Sequence, residues 1–194
     1  MPPLPPVTKA LMLACVAGFC LNLFVPLASW FALWPLTSGQ FMPWQVLSYA
    51  FLHGDTLHLF FNMLGLWMFG AELEQLWGSR RYAQYLLAAV VVAAVTQLLI
   101  TLLAGSPVPT VGASGALFGL LLAFGMLFPN RTIMPLFPPI PMKARNFVIL
   151  FGGIELLLGV WGGSGIAHFA HLGGMLGGWL LIRHWRRGGP WRRR

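Results

Sequence analysis

The chain has 194 residues, of which 58% are hydrophobic and only 8% are charged, with a formal net charge of +8. Soluble domains carry about 25% charged residues. This composition therefore excludes a soluble protein and indicates a polytopic membrane protein with a single domain over residues 1–194. The basic residues lie between apolar segments and in the tail, as membrane orientation requires, so the charge does not predict nucleic-acid binding.

Six apolar segments account for nearly the whole chain, and each approaches the roughly 20 residues that a membrane span needs. They cover residues 9–28, 57–77, 82–104, 114–129, 144–161 and 168–185. A short Pro-rich lead (1–8) precedes them and a basic tail (186–194) follows. A removable signal peptide is the alternative interpretation of segment one, but no small-residue cleavage site follows it. Residues 30–56 lack Lys and Arg and are rich in Trp and Pro, which predicts a loop at the membrane interface.

The basic residues predict the topology of these segments. Basic residues occur at the start of segment one, in the loops between segments two and three and between segments four and five, and at the end of the chain. The loops after segments one, three and five contain no Lys or Arg. Since Lys and Arg are enriched in cytoplasmic loops, we expect both termini in the cytoplasm. Segments two, four and six then run inward, so the polar groups in their first turns share one layer near the outer membrane surface.

Polar side chains in this layer suggest nucleophilic catalysis. Segment two begins with His58 and Asn62, segment four with Ser114, and segment six with His168 and His171. Such groups usually face the bundle interior or a water-filled cavity. A histidine that accepts its proton would make Ser114 a nucleophile. His58, Asn62 and the Ser114 backbone N–H could stabilise an oxyanion. We expect a water-accessible cavity lined by His58, Asn62 and His171.

The four carboxylates do not predict a third catalytic group. Glu72 and Glu74 lie at the inner end of segment two, and nothing ties Asp55 to His171. Glu155 lies deep in segment five, and its role stays open between structural pairing and gating. A Ser–His dyad is therefore expected, without the third member of the usual triad.

Two other functions could use the same polar layer. Zinc binds imidazole, and four histidines lie near the outer side: His53, His58, His168 and His171. Such a metal site would leave the serine and the asparagine without a role. A transporter could use Glu155 and the histidines as a proton relay, but the two halves show no internal repeat. A soluble α/β-hydrolase is excluded, because its elbow motif requires glycine where Ala116 stands.

Three motifs, in this order and spacing, resemble the rhomboid family of intramembrane serine proteases. They are His58-xxx-Asn62, Gly112-Ala113-Ser114-Gly115 and Ala170-His171-xx-Gly174-xxx-Gly178. The stretch Glu74-xxx-Gly78-Ser79 is also similar to the family. The resemblance covers essentially the whole chain as the minimal six-span bacterial form, and it implies an all-α bundle of six transmembrane helices.

The resemblance implies a role for each matching residue. Ser114 is the expected nucleophile and His171 the expected general base, because the family's His-xx-Gly-xxx-Gly spacing begins at His171 and not at His168. The positions that match oxyanion stabilisation are His58, Asn62 and Gly112. Supporting positions are Phe118, which the family places against the catalytic histidine, and the glycines Gly115, Gly174 and Gly178.

The implied reaction is hydrolysis of a peptide bond near the outer end of a transmembrane helix. The expected partners are single-span or polytopic membrane proteins and the lipid bilayer. No cofactor, metal or nucleic acid is expected, and catalysis would not require an oligomer. The expected location is the bacterial inner membrane, with the active site open to the periplasmic or extracellular side. A non-catalytic rhomboid-like binder of membrane helices is the alternative.

Two further regions match mobile or interfacial parts of the family. Residues 30–56 match an in-plane first loop, and segment five with the loop at 162–167 matches a substrate gate. Many relatives have Trp-Arg where this chain has Trp44-Gln45. An arginine role in the first loop is therefore not carried over.

Overall fold

The computed structural model describes residues 4–136, 139–161 and 166–188. This part of the chain is mostly helical, as predicted. Its α-helices are α1 (Pro6–Asn22), α2 (Leu27–Phe31), α3 (Gln45–Ser48), α4 (Thr56–Gly65), α5 (Ala71–Trp77), α6 (Ser79–Ala104), α7 (Ser114–Leu127), α8 (Ala144–Trp161) and α9 (Ile166–Gly188). Two short strands, β1 (Thr132–Ile133) and β2 (Met142–Lys143), pair antiparallel between α7 and α8. Most of the basic tail lies outside the described residues.

Each predicted segment contains helix, and the second is continuous from α4 to α5 through a π-helical turn at Leu66–Gly70. Among the described helices, α6 and α8 are by themselves long and apolar enough to cross a bilayer, whereas α1 and α7 are apolar but shorter. The six-span topology therefore stays a prediction. Large apolar side chains face outward, including Phe24 (85% exposed) and Leu103 (83% exposed), as expected for a surface in contact with lipid.

Helix α9 packs closely against α6 and α7. Glycines let the backbones approach closely. A Cβ atom at Gly174 would overlap the carbonyl group of Gly115, and one at Gly178 would overlap the Tyr85 hydroxyl. That hydroxyl donates to the Gly119 carbonyl oxygen at 2.6 Å. A larger side chain would therefore force α9 away from α7 at Gly174 and away from α6 at Gly178.

The first loop is held together by Gln45, which is fully buried. Its Nε2 atom donates to the carbonyl oxygens of Trp30 and Gln40, and its Oε1 atom accepts from the Trp34 N–H. Leu33 and Thr110 exchange two backbone hydrogen bonds of 2.9 and 3.0 Å. The loop is thus ordered by a glutamine amide and fastened to the segment that leads into α7.

At the opposite end of the bundle, the buried carboxylate of Glu74 joins three helices. It accepts hydrogen bonds from the Val7 N–H (2.9 Å), the Thr8 N–H (2.7 Å), the Thr8 hydroxyl (2.8 Å) and the Ser79 hydroxyl (2.6 Å). The N–H groups of the first helical turn have no partner within their own helix. Glu74 therefore caps α1 and ties it to the junction of α5 and α6.

We expect Glu74→Ala to lower the free energy of unfolding by about 3 kcal/mol or more, since each buried donor left unpaired costs about 1–3 kcal/mol. Glu72→Ala is the matched control, two residues away. Glu72 pairs with Arg131 at a partly exposed site, and such ion pairs contribute about 0–1 kcal/mol. Thermal unfolding in detergent measures both variants. Equal decreases in the midpoint would contradict the capping role.

Candidate active site

Ser114 is the first residue of α7, and the backbone before it makes a sharp turn. Gly112 has φ +124°, a conformation that favours glycine. Its N–H donates to the Tyr49 carbonyl oxygen at 2.9 Å. A Cβ atom at Gly112 would lie 2.7 Å from the His58 ring. Both its conformation and its surroundings therefore require glycine here, and the turn directs the Ser114 hydroxyl toward α9.

His171 lies in the second turn of α9 and faces Ser114. Its Nε2 atom is 2.8 Å from the Ser114 Oγ atom, which is hydrogen-bonding distance for a nucleophile and its base. The Phe118 ring, one turn below Ser114 on α7, stacks on the His171 ring with centroids 4.4 Å apart and planes 5° from parallel. The stacking fixes the plane of the imidazole, and the close packing of α7 against α9 sets its distance from the hydroxyl.

A cavity of about 150 Å³ adjoins this pair. Its polar lining is formed by the side chains of Tyr49, His58, Thr110, Ser114 and His171. The first-turn N–H groups of α7 are also at this level, and such groups stabilise negative charge. The cavity is thus a small space in which a reacting carbonyl could meet a hydroxyl, an imidazole and hydrogen-bond donors.

Asn62 does not line this cavity, which corrects the prediction that it would. The side chain is buried (3% exposed), and its amide nitrogen donates to the His58 backbone carbonyl oxygen, one turn earlier, at 2.8 Å. Its Oδ1 atom has no hydrogen-bond partner among the described residues. The four-residue spacing predicted a shared helix face, but the rotamer turns the amide back onto its own helix.

Glu155 is the site residue that the sequence argument missed. Its Oε2 atom lies 2.8 Å from His171 Nδ1 and 2.7 Å from His168 Nδ1. Helices α8 and α9 are consecutive and antiparallel. Glu155 lies six residues before the end of α8, and His171 lies five residues after the start of α9, so both lie at the same level. Counting outward from the connecting loop would have placed Glu155 at the level of His171, although it would not have shown that Glu155 is on the side of α8 that faces His171.

In the part of the chain that the structure describes, the four histidines of the alternative metal site do not form one group. His53 and His58 make one pair, with ring centroids 5.1 Å apart, and His168 and His171 make another at 6.3 Å. Within the described residues, Glu155, His168 and His171 form a group whose possible ligand atoms lie within 4.8 Å of one another. These three residues have the chemistry of a zinc site, but His171 also contacts Ser114 there.

The predicted gate is only partly visible. Residues 162–165 of its loop lie outside the described residues. Helix α8 packs against α9 and α7 on one side, while apolar side chains such as Ile149 (73% exposed) and Leu157 (53% exposed) face outward on the other. Glu155 is buried on the packed side.

Comparison with known proteins agrees with the resemblance. The model of the rhomboid domain matches residues 40–187. The chain is 31% identical to the rhomboid protease GlpG of Yersinia pestis over 187 residues, which cover 93% of this chain and 62% of that protein. It is 32% identical to the mitochondrial Rhomboid protein 1 of Saccharomyces cerevisiae over 152 residues, 72% of this chain and 42% of the yeast protein. The chain spans less than two thirds of the length of these curated relatives. The match over residues 40–187 shows that the chain belongs to the rhomboid family.

Proposed function

We propose that this protein is an intramembrane serine endopeptidase in which Ser114 is the nucleophile and His171 the general base. The observation that carries the proposal is the 2.8 Å contact between Ser114 Oγ and His171 Nε2. Ser114 would attack the carbonyl carbon while His171 takes its proton. His171 would then return the proton to the leaving amine, and water activated by the same imidazole would hydrolyse the acyl-enzyme.

The tetrahedral intermediate needs hydrogen-bond donors for its oxyanion. In a serine protease, one such donor stabilises the transition state by roughly 2.7–4 kcal/mol. The Ser114 backbone N–H and the His58 ring are the nearest groups of the right kind. Gly112 supports them, because its missing side chain leaves room for the His58 ring. Asn62 does not line the cavity, so it could contribute only if its side chain turned toward it.

As a rhomboid-family protein the chain is a membrane protein. We place six spans in the bilayer, with both termini in the cytoplasm of a bacterial cell and Ser114 near the outer face. Residues 1–194 would act as one domain. Its substrates would be transmembrane helices of other proteins. Because helix backbone amides are already hydrogen-bonded, a substrate must unwind locally before its carbonyl reaches Ser114.

The deciding experiment uses the purified protein in detergent with a single-span model substrate and a fluorophosphonate, which labels activated serines. Wild type is expected to cleave the substrate and to take up the label at Ser114. Ser114→Ala should do neither, and a metal chelator should leave wild-type activity unchanged. Wild type that neither cleaves nor takes up the label would leave the non-catalytic binder of membrane helices as the better interpretation.

A metal-dependent function is the second candidate, favoured by the grouping of Glu155, His168 and His171. The cleavage and labelling experiment distinguishes this metal-dependent function from the serine endopeptidase. Activity that survives Ser114→Ala but disappears with the chelator would move the chemistry to this group. A zinc ion bound through His171 Nδ1 would leave the ring proton on Nε2, the atom that faces Ser114, so the two functions exclude each other.

A further inference from the structure

We propose that Glu155 positions His171, so that the site operates as a Ser–His–Glu triad with its carboxylate supplied by α8. This inference rests on the proposed function. The three groups form a chain of hydrogen-bonded contacts, in which Ser114 Oγ is 2.8 Å from His171 Nε2 and His171 Nδ1 is 2.8 Å from Glu155 Oε2. The same order of hydroxyl, imidazole and carboxylate recurs on unrelated folds.

The carboxylate decides which ring nitrogen of His171 carries the proton. An ionised carboxylate can only accept hydrogen bonds, so its contact with Nδ1 requires an Nδ1–H group. The lone pair then lies on Nε2, the atom that faces the Ser114 hydroxyl. Without the carboxylate, the tautomer protonated at Nε2 becomes accessible, and it cannot accept the serine proton.

Glu155 and Phe118 constrain different motions of the same ring. The parallel stack with Phe118 fixes the plane of the imidazole, but a ring can still rotate within that plane. The contact with Glu155 opposes this rotation, because it holds Nδ1 on the side away from Ser114. The carboxylate would also stabilise the positive charge that His171 carries after it takes the proton.

His168 provides a comparison within the same cluster. Its Nδ1 atom lies 2.7 Å from the same Glu155 oxygen, but Ser114 contacts His171 and not His168. His168 therefore helps to hold the carboxylate in place without taking part in proton transfer.

The location of Glu155 also makes the triad depend on α8. Ser114 and His171 belong to α7 and α9, which are joined by close backbone packing, whereas the carboxylate comes from a helix with an exposed apolar side. The triad is complete only while α8 stays packed against α9.

The test compares Glu155→Gln, Glu155→Asp and His168→Ala in the full-length protein in detergent. Two rates are measured: cleavage of a single-span substrate, and labelling of Ser114 by a fluorophosphonate.

Glu155→Gln keeps the size of the side chain but removes its charge. It is expected to lower kcat by up to about 10⁴-fold, the loss seen when the carboxylate is removed from other triads, and to slow labelling in parallel. KM should change little. Glu155→Asp should restore part of the rate. His168→Ala removes one partner of the carboxylate but leaves the contact of Glu155 with His171, so it should lose much less activity than Glu155→Gln.

Thermal unfolding of each variant distinguishes a role of Glu155 in positioning His171 from a role in stabilising the fold. Wild-type rates of cleavage and labelling in Glu155→Gln would overturn the inference while leaving the Ser–His proposal intact. An equal loss in His168→Ala and Glu155→Gln, accompanied by equal decreases in the unfolding midpoint, would also overturn it, because Glu155 would then be a packing residue only. Failure of the wild type to label or cleave would instead overturn the proposed function itself.

Discussion

Alanine at His171 is expected to lower kcat for a single-span substrate by about 10³–10⁶-fold, as much as alanine at Ser114. A serine hydroxyl is a weak nucleophile at neutral pH, and His171, the proposed base, lies 2.8 Å from it. Removing the imidazole leaves only binding and the oxyanion donors, which by themselves retain a small part of the rate in other serine hydrolases. The measurement is the initial rate of cleavage in detergent at saturating substrate.

The two substitutions should not be additive. In the proposed mechanism Ser114 and His171 act in one proton transfer, so the double variant should be no slower than either single variant. His184→Ala is the matched control, since His184 lies on the same helix but is exposed and far along it from Ser114. It should keep the wild-type rate. Losses that multiply in the double variant would mean that the two residues act independently, and the Ser–His pair would be the wrong description.

Helix positions could be predicted from the sequence because apolar length and turn residues are local properties. Helix α8 occupies Ala144–Trp161, the range predicted for segment five. The contact between Ser114 and His171 was also foreseeable, since the glycines of α7 and α9 allow the two backbones to approach. The short α7 and the π-helical turn at Leu66–Gly70 were less predictable, because they depend on how neighbouring helices pack.

Side-chain direction was harder to predict than position. Asn62 lies on the predicted helix face, yet its amide donates to a carbonyl oxygen of its own helix. The rotamer depends on which hydrogen-bond acceptors surround the amide in the folded protein. Glu155 was not expected to be a third catalytic group, and its role stayed open between structural pairing and gating, although it lies at the level of His171. The sequence shows how far a residue lies from a helix end, but which side of α8 faces α9 follows from packing.

A single methyl group at Gly174 is expected to separate α7 from α9 and to lower activity by about 10²-fold. Its Cβ atom would overlap the Gly115 carbonyl oxygen and lie 2.6 Å from the carbonyl carbon. These are backbone atoms, so no rotamer change can relieve the overlap. His171 precedes Gly174 by about one turn and would move with the helix. A displacement of about 1 Å in a catalytic pair can cost 10²-fold in rate, and overpacking costs about 1–3 kcal/mol in stability.

Gly153→Ala is the control, because a Cβ atom at Gly153 on α8 would meet nothing within 4 Å. Alanine is favoured over glycine inside a helix by about 0.5–1 kcal/mol, so this variant should unfold at the same or a higher temperature and keep its cleavage rate. Gly174→Ala should lose activity even below its unfolding midpoint, where the protein is folded. A fully active Gly174→Ala would mean that α7 and α9 can separate without disturbing the Ser114–His171 contact, and close helix packing would then not be what sets the geometry of the site.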